Sequence, residues 1–172
     1  MRSAVSTLCL GPGGLFFQSG TVLSGIFAVL FVISLNWSFN EYETNEKLKK
    51  LNLYIALISC TTFIGLGAFC GSNPIIALIH GSFAVISWLS GLFYVISFTI
   101  LMFQDSQYLK LLVYIGCYVS FVLFLLVFTF FLHFFPSLRF LMIILPSLEW
   151  INTISLIFWY FAVSVYMIYK KI

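Results

Sequence analysis

The chain has 172 residues, of which 62% are hydrophobic, 20% are aromatic and only 8% are charged. A soluble domain of this composition would have too little polar surface to stay dissolved, so the composition excludes that class of protein. It predicts instead an all-α polytopic membrane protein, a transmembrane helix bundle with five spans. The net charge of +3 is informative only through the placement of the charges, and we expect no nucleic-acid partner.

The chain divides into a short N-terminal segment and a transmembrane domain. Residues 1–20 are predicted to be an exposed lumenal or extracellular segment, because their apolar runs are too short to cross a bilayer. Residues 21–172 form the transmembrane domain. Its spans are predicted at about 21–39, 51–70, 74–103, 108–133 and 147–169. The polar run 40–50 is a loop, and the proline-bounded apolar connection 134–146 is expected to lie along the membrane surface.

The second span carries two glycines near its end, Gly65 and Gly67, where we expect close helix approach. Four cysteines stand at positions 9, 60, 70 and 117, with no CxxC motif and no histidine at ligand spacing. This pattern predicts neither a disulfide framework nor a metal site, and we interpret the cysteines as scattered apolar residues. No cofactor is indicated.

The third span organises the chain, because residues 74–103 contain no Lys, Arg, Asp or Glu. At about 1.5 Å per residue, a helix of this length reaches roughly 45 Å, more than the ~30 Å hydrocarbon thickness of a bilayer. Helical steps from His80 bring Ser87, Gly91 and Tyr94 onto one face. That face is small and polar, so we expect it to pack against other helices rather than against lipid.

The last span opens with Glu149, an ionisable group that costs a few kcal/mol toward the bilayer centre and less near an interface. Helical steps from Glu149 bring Asn152, Thr153 and Tyr160 onto roughly the same side. Both polar faces begin at the same end of the predicted bundle. We therefore expect a hydrogen bond or ion pair between His80 and Glu149 at the lumenal end.

The expected His80–Glu149 pair has three interpretations. It is a structural clamp that fixes helix register, or a ligand site that meets a lipid headgroup or responds to lumenal pH through the histidine, or part of a catalytic centre. A hydrolase would need a nucleophile and further acid–base groups or a metal converging on one point, and the spans offer one His, one Glu and serines with no assigned base. We therefore expect no enzymatic activity.

The basic residues predict the orientation of the chain in the membrane. One side of the predicted bundle holds Lys47, Lys49, Lys50, Lys110, Lys170 and Lys171, and the other holds Arg2 and Arg139. By the positive-inside rule the lysine-rich side is cytoplasmic, which makes the N-terminus lumenal or extracellular and the C-terminus cytoplasmic. An odd span count with an outside N-terminus leads us to expect that a preceding span is missing from this chain.

Several of these residues together resemble the damage-regulated autophagy modulator (DRAM) family. The resemblance rests on His80, Gly91 and Tyr94, on Gly65-Leu66-Gly67 at the end of the preceding span, and on Glu149-Trp150 at the start of the last span. It covers roughly residues 21–169. That family belongs to a wider group with the Sfk-type proteins and the GPI-anchor remodelling factor of the Golgi. Its pattern has six spans, and this chain resembles a member that lacks the first.

The resemblance implies a non-enzymatic multi-pass protein of lysosomal or endosomal membranes that modulates autophagy through contacts with membrane lipids or other membrane proteins. The plasma membrane and the Golgi are the other locations it suggests. For the Sfk-like branch it implies a plasma-membrane scaffold that supports recruitment of a cytosolic phosphoinositide kinase. A rival of another class is an intramembrane lipid-modifying enzyme or transporter that uses His80 and Glu149. A lipid-sized cavity opening onto these residues would favour the rival, and burial against each other alone would favour the clamp.

Overall fold

Five long apolar helices form the molecule in the computed structural model, which describes residues 5–40 and 42–172, except for the side chains at 6, 7, 133 and 139. Each helix is long and apolar enough to cross a membrane, and no β-strand occurs in the described ranges. The helices are α1 (Gly14–Ser38), α2 (Glu46–Ala68), α3 (Pro74–Gln104), α4 (Lys110–Phe131) and α5 (Leu145–Lys170). The prediction of an all-α bundle with five spans is confirmed.

Side-chain caps set the starts of α2 and α3. The Asn45 side chain accepts hydrogen bonds from the backbone N–H groups of Lys47 and Leu48, so α2 begins inside the segment predicted to be a loop. Asn73 caps α3 in the same way through the N–H of Ile75. Pro74 follows as the first helical residue, where its missing N–H leaves no bond unmade.

The N-terminal segment is shorter than the predicted exposed segment 1–20. A 3₁₀ helix spans Val5–Leu10, and α1 already begins at Gly14. Leu15, Phe16 and Phe17 add apolar length to the first span. Gly20 lies inside this helix, where a glycine costs about 1 kcal/mol relative to alanine, too little to end the helix. The last seven residues of that segment, 14–20, therefore belong to the bundle.

The connection between α4 and α5 consists of two 3₁₀ segments, Leu132–Phe134 and Pro136–Ile144. Phe140 and Ile143 in the second segment are exposed apolar side chains. Such side chains are what a segment at a membrane surface presents to lipid. Its placement along the membrane surface stays a prediction.

The helices pack in chain order, each against the next, and α1 and α5 meet only along a short stretch. Short loops make the first four helices antiparallel to one another in turn. The bond between Tyr166 and Gln107 places the end of α5 beside the end of α3. α1, α3 and α5 therefore finish at one end of the bundle, which we call the closed end, and start at the other, which we call the disulfide end. The principal core lies toward the closed end and includes Val32, Leu35, Val95, Phe98, Trp159 and Val163.

Hydrogen bonds between the two loops seal the closed end. The Asp105 carboxyl group, only 2% exposed, accepts bonds from the Asn40 N–H at 2.8 Å, from the Gln107 N–H at 3.1 Å and from the Gln107 side chain at 2.8 Å. The Tyr166 hydroxyl donates to the Gln107 carbonyl, and Tyr108 bonds to Ser38. These bonds join the loop after α1, the loop after α3 and the end of α5.

Glycines permit close contacts at the disulfide end. A Cβ atom on Gly67 would lie 2.9 Å from Thr21 Cβ and 3.1 Å from the Gln18 carbonyl oxygen of α1. A Cβ on Gly65 would lie 2.8 Å from the ring of Phe83 on α3. Both glycines thus stand where a side chain would push neighbouring helices apart.

Candidate functional site

A cavity of about 730 Å³ occupies the half of the bundle nearer the disulfide end, and all five helices contribute to its wall. The sequence singled out two helix faces for packing. From those faces the cavity wall includes Ser87, Gly91, Tyr94, Asn152, Thr153 and Tyr160. The two polar faces therefore border a common space, and they meet directly at its inner end through Tyr94 and Tyr160.

Buried polar groups of α5 form the outer part of the cavity wall. Glu149 is 8% exposed and Asn152 is 6% exposed, and the two residues lie about one helical turn apart. The Thr153 hydroxyl donates to the Glu149 carbonyl at 2.8 Å. The Asn152 side-chain oxygen Oδ1 is buried and has no hydrogen-bond partner within the protein. Buried polar atoms are nearly always bonded, so this oxygen calls for a ligand or water.

The floor of the cavity is also polar, but its groups satisfy one another. The hydroxyls of Tyr94 and Tyr160 lie 2.6 Å apart and join α3 to α5. The Ser59 hydroxyl donates to the Ser87 carbonyl at 3.0 Å and joins α2 to α3. Glu149 and Ser164 both line the cavity and are fifteen positions apart on α5, so the cavity extends about 22 Å along the bundle axis, roughly three quarters of a ~30 Å hydrocarbon core.

The mouth of the cavity lies between α1 and α5. The exposed residues of the lining all belong to these two helices, and they are Phe16, Gly20, Ser24 and Phe27 on α1 and Ile157 on α5. Because α1 and α5 form the faces of a membrane bundle here, the mouth opens sideways toward lipid rather than along the bundle axis. Val5 of the N-terminal 3₁₀ helix also lines the cavity, near its outer end.

His80 is not among the described residues that line the cavity. The sequence led us to expect it beside Glu149. Its Nδ1 atom lies 3.0 Å from the Leu66 carbonyl oxygen and 3.0 Å from the Phe69 carbonyl oxygen, at the end of α2. Helix ends leave carbonyl groups without intrahelical partners, and the tight turn into α3 brings His80 within reach of two of them. The described contacts include no direct bond between His80 and Glu149.

A disulfide between Cys9 and Cys70 corrects the interpretation of the cysteines as scattered apolar residues. It ties the N-terminal 3₁₀ helix to the turn between α2 and α3, with a Cα–Cα distance of 5.7 Å. Cys60 and Cys117 are free thiols, the first buried and the second exposed. Spacing along the chain could not have revealed the pairing, because the partners are 61 positions apart and form no motif.

A second depression, a groove of about 470 Å³, lies between α4 and α5 on the outer surface of the bundle. Its lining includes Tyr114, Tyr118, Ile154 and Phe158, all of them exposed. None of its described lining residues carries a carboxyl group. The cavity that contains Glu149 is therefore the stronger candidate for a functional site.

No protein-family model, no curated protein and no solved structure matches the chain. The resemblance to the DRAM family thus depends on the residues that suggested it. The function has to be argued from the cavity itself.

Proposed function

We propose that this multi-pass membrane protein binds one lipid molecule in the cavity between α1 and α5, without chemical turnover. The observation that carries the proposal is the cavity itself: about 730 Å³, largely apolar, with buried Glu149 and Asn152 in its wall and a mouth facing lipid. Ligand sites in proteins typically measure about 300–1,000 Å³ and combine apolar walls with a few polar groups. A membrane lipid is the ligand that a sideways mouth admits.

The orientation proposed from the lysines gains support from the disulfide. Disulfides persist in oxidising compartments and are rare in the cytosol. Cys9 and Cys70 lie at the end of the bundle opposite the lysine-rich loops and C-terminus. The proposal therefore places the disulfide end and the N-terminus on the lumenal or extracellular side, and the closed end and the C-terminus in the cytoplasm.

The cellular role follows the resemblance to the DRAM family. The protein would modulate autophagy at lysosomal or endosomal membranes, with the bound lipid or a lipid-dependent contact to another membrane protein as its means. The alternative role, a plasma-membrane scaffold for a phosphoinositide kinase, is compatible with the same cavity but requires the protein to lie in the plasma membrane. Imaging of a tagged protein against lysosomal and plasma-membrane markers separates the two.

A lipid-modifying enzyme or transporter is the second candidate, and the cavity that opens onto Glu149 favours it over a purely structural clamp. Binding is favoured over turnover by the bonds that five of the wall hydroxyls make. Those of Ser59, Thr21 and Thr153 donate to backbone carbonyls, and those of Tyr94 and Tyr160 bond to each other. A catalytic hydroxyl needs a side-chain base within reach instead.

The test is lipid retention by the purified full-length chain. Ser24→Phe places a ring in the mouth, and Ser82→Phe places the same ring at an exposed site of α3 outside the lining. Native mass spectrometry should find one lipid per wild-type chain, about tenfold less occupancy for Ser24→Phe and wild-type occupancy for Ser82→Phe. In cells without the protein, Ser82→Phe should restore autophagic flux and Ser24→Phe should not.

Equal occupancy of the two variants would overturn the binding proposal. Conversion of the bound lipid into a new species by the purified protein would establish the enzyme in its place. Equal restoration of flux by both variants would separate the cavity from the proposed role in autophagy.

A further inference from the structure

The N-terminal 3₁₀ helix, Val5–Leu10, lies against the two helices that border the mouth of the cavity. It contacts both α1 and α5, which otherwise meet only along a short stretch. Val5, its first residue, lines the cavity near the outer end and is half-buried. We call this 3₁₀ helix the strap, because it joins the two helices between which a lipid would pass.

The strap is too short to keep its own shape. It has six residues, whereas 3₁₀ helices longer than three or four residues are uncommon, and so short a helix is unstable in water on its own. The link from the strap to α1 contains Gly11, Pro12 and Gly13, and a glycine backbone is the least restricted of all. Contacts outside this short segment must therefore fix the position of the strap.

The disulfide between Cys9 and Cys70 supplies a covalent contact of this kind. It bonds the last turn of the strap to the turn between α2 and α3. The carbonyl oxygen of Cys9 also lies close to α1, since a Cβ atom on Gly14 would come within 2.6 Å of it. Because one end of the strap is fixed in this way, Val5 at the other end is kept beside the cavity.

The disulfide is open to chemical reduction. Cys9 and Cys70 are both half-buried, so a small dithiol can reach their sulfur atoms. One thiolate of the dithiol attacks a cysteine sulfur, which breaks the S–S bond and forms a mixed disulfide. The second thiol of the dithiol then displaces that cysteine. The dithiol leaves as a disulfide, and its two electrons and two protons remain on Cys9 and Cys70 as two free thiols.

We propose that the strap closes the outer end of the cavity while the disulfide is intact, and that reduction by a dithiol releases the strap and speeds exchange of the bound lipid. This inference rests on the lipid binding proposed above and adds a means of regulating it. The proposed orientation places the disulfide on the lumenal or extracellular side. An oxidising compartment there keeps the strap closed, and a reducing one opens it.

The experiment measures how fast the purified full-length protein releases the lipid with which it co-purifies. The protein is mixed with an excess of micelles that contain deuterated phosphatidylcholine, phosphatidylserine, diacylglycerol and cholesterol. Native mass spectrometry then follows the loss of the unlabelled lipid. Dithiothreitol, a dithiol, should speed this loss from wild type about tenfold, the order expected when the contacts of one Val-sized side chain are lost.

Three variants test the part played by the disulfide. Cys9→Ser should release the lipid as fast as reduced wild type and should not respond to dithiothreitol. Cys117→Ser removes an exposed free thiol and should respond as wild type does. Asp105→Ala is the control for stability, because it weakens the closed end and leaves the strap unchanged. At a temperature where it is folded, it should release the lipid slowly before reduction and fast afterwards.

Two substitutions in the strap assign the effect to the side chain that lines the cavity. Val5→Ala should speed release about fourfold with the disulfide intact, the equivalent of one buried methylene group, because Val5 is half-buried. Leu10→Ala is the matched control, because Leu10 is 66% exposed and is not among the described residues of the lining. It should release the lipid at the wild-type rate.

Each contrary outcome has one meaning. Equal release by oxidised and reduced wild type, with reduction verified by the mass of the protein, would overturn the strap and leave lipid binding intact. Fast release by Asp105→Ala before reduction, or equal rates for Val5→Ala and Leu10→Ala, would overturn it as well, because general loosening of the bundle would then explain the exchange. Wild-type protein that carries no lipid would overturn the proposed function instead.

Discussion

The two ends of the bundle are built on different principles. At the closed end the helices pack around a continuous core that contains fully buried Trp159, Phe98 and Leu35, and the loops are bonded through Asp105. At the disulfide end the same helices separate around a cavity, and a covalent bond ties the N-terminal segment to the turn between α2 and α3. Close packing thus stabilises the closed end, and a covalent cross-link restrains the disulfide end, where the cavity opens.

This difference has a physical reason. A cavity gives up the dispersion contacts and apolar burial that stabilise a filled core. A disulfide stabilises without filling space, because it acts mainly on the unfolded chain. The molecule therefore has a cavity at one end, while close packing at the other end holds the helices together.

The largest expected effect breaks the closed end. Asp105→Ala removes an acceptor of three hydrogen bonds and leaves the partly buried donors on Asn40 and Gln107 without it. We expect a loss of about 4 kcal/mol, since each orphaned donor costs roughly 1–3 kcal/mol. Thermal unfolding in detergent measures it, and Asp105→Asn should lose less. An Asp105→Ala variant as stable as wild type would show that the loop bonds do not hold this end.

The second prediction concerns removal of the cross-link at the disulfide end. Replacing Cys9 and Cys70 by Ser, singly or together, should lower stability by about 3 kcal/mol, because any of these changes opens the same cross-link. Cys117→Ser is the control, since that thiol is exposed and free. Unfolding with and without a reducing agent measures the effect. A double variant much less stable than either single one would contradict the explanation by a single cross-link.

The third prediction concerns helix contact at the disulfide end. Gly67→Val brings a side chain to within 2.9 Å of Thr21 and 3.1 Å of the backbone at Gln18, so we expect a loss of about 2 kcal/mol. Gly81→Val meets nothing within 4 Å and should be neutral. Both variants lie near the same end, so unfolding data compare them directly. Equal stability of the two would show that α1 can move away from α2 without cost.

The smallest expected effect is a pH dependence of stability that arises at the closed end and not at the disulfide end. Burial raises the pKa of the Tyr108 hydroxyl, at the closed end, to about 12 from an ordinary value of 10. The unfolded chain therefore loses this proton first, and the stability it contributes is complete below pH 10 and declines as the pH rises from 10 to 12. The decline is at most about 1.4 kcal/mol per pH unit.

The control for that titration is Tyr108→Phe, which removes the ionisable group. The stability difference between wild type and this variant should be constant below pH 10 and should shrink between pH 10 and 12. Denaturant unfolding at several pH values measures it. Parallel curves over the whole range would mean that Tyr108 is accessible to solvent in the folded protein.

Much of the fold could be predicted because hydropathy reports directly on membrane spans. The five apolar runs became five helices, and the predicted start of the third span at residue 74 is the start of α3. The start of α1 was placed too late because the apolar runs within residues 1–20 are too short to cross a bilayer on their own. In the structure those residues extend the first span, because α1 runs without a break from Gly14 through Gly20 to Ser38.

The site could be predicted in part. Helical periodicity brought Ser87, Gly91 and Tyr94 onto one face, and Asn152 and Tyr160 onto another, and these residues do share a space. Periodicity gives the direction of a face but not its distance from the opposite one, so the cavity could not be foreseen.

The partners of single polar side chains were beyond the sequence for a related reason. His80 bonds to backbone carbonyls of α2, and Asp105 bonds mainly to backbone N–H groups of two loops. Every residue carries such backbone groups, so no pattern of side chains points to them.

The disulfide also turns the first helical hairpin into a closed covalent ring, because Cys9 precedes α1 and Cys70 follows α2. A protease that cuts once in the exposed loop around Tyr42 would break the backbone but release nothing. The two pieces would migrate as one band on a gel without reductant and as two bands with it. The first two membrane crossings therefore remain a single molecule even after the peptide chain between them has been severed.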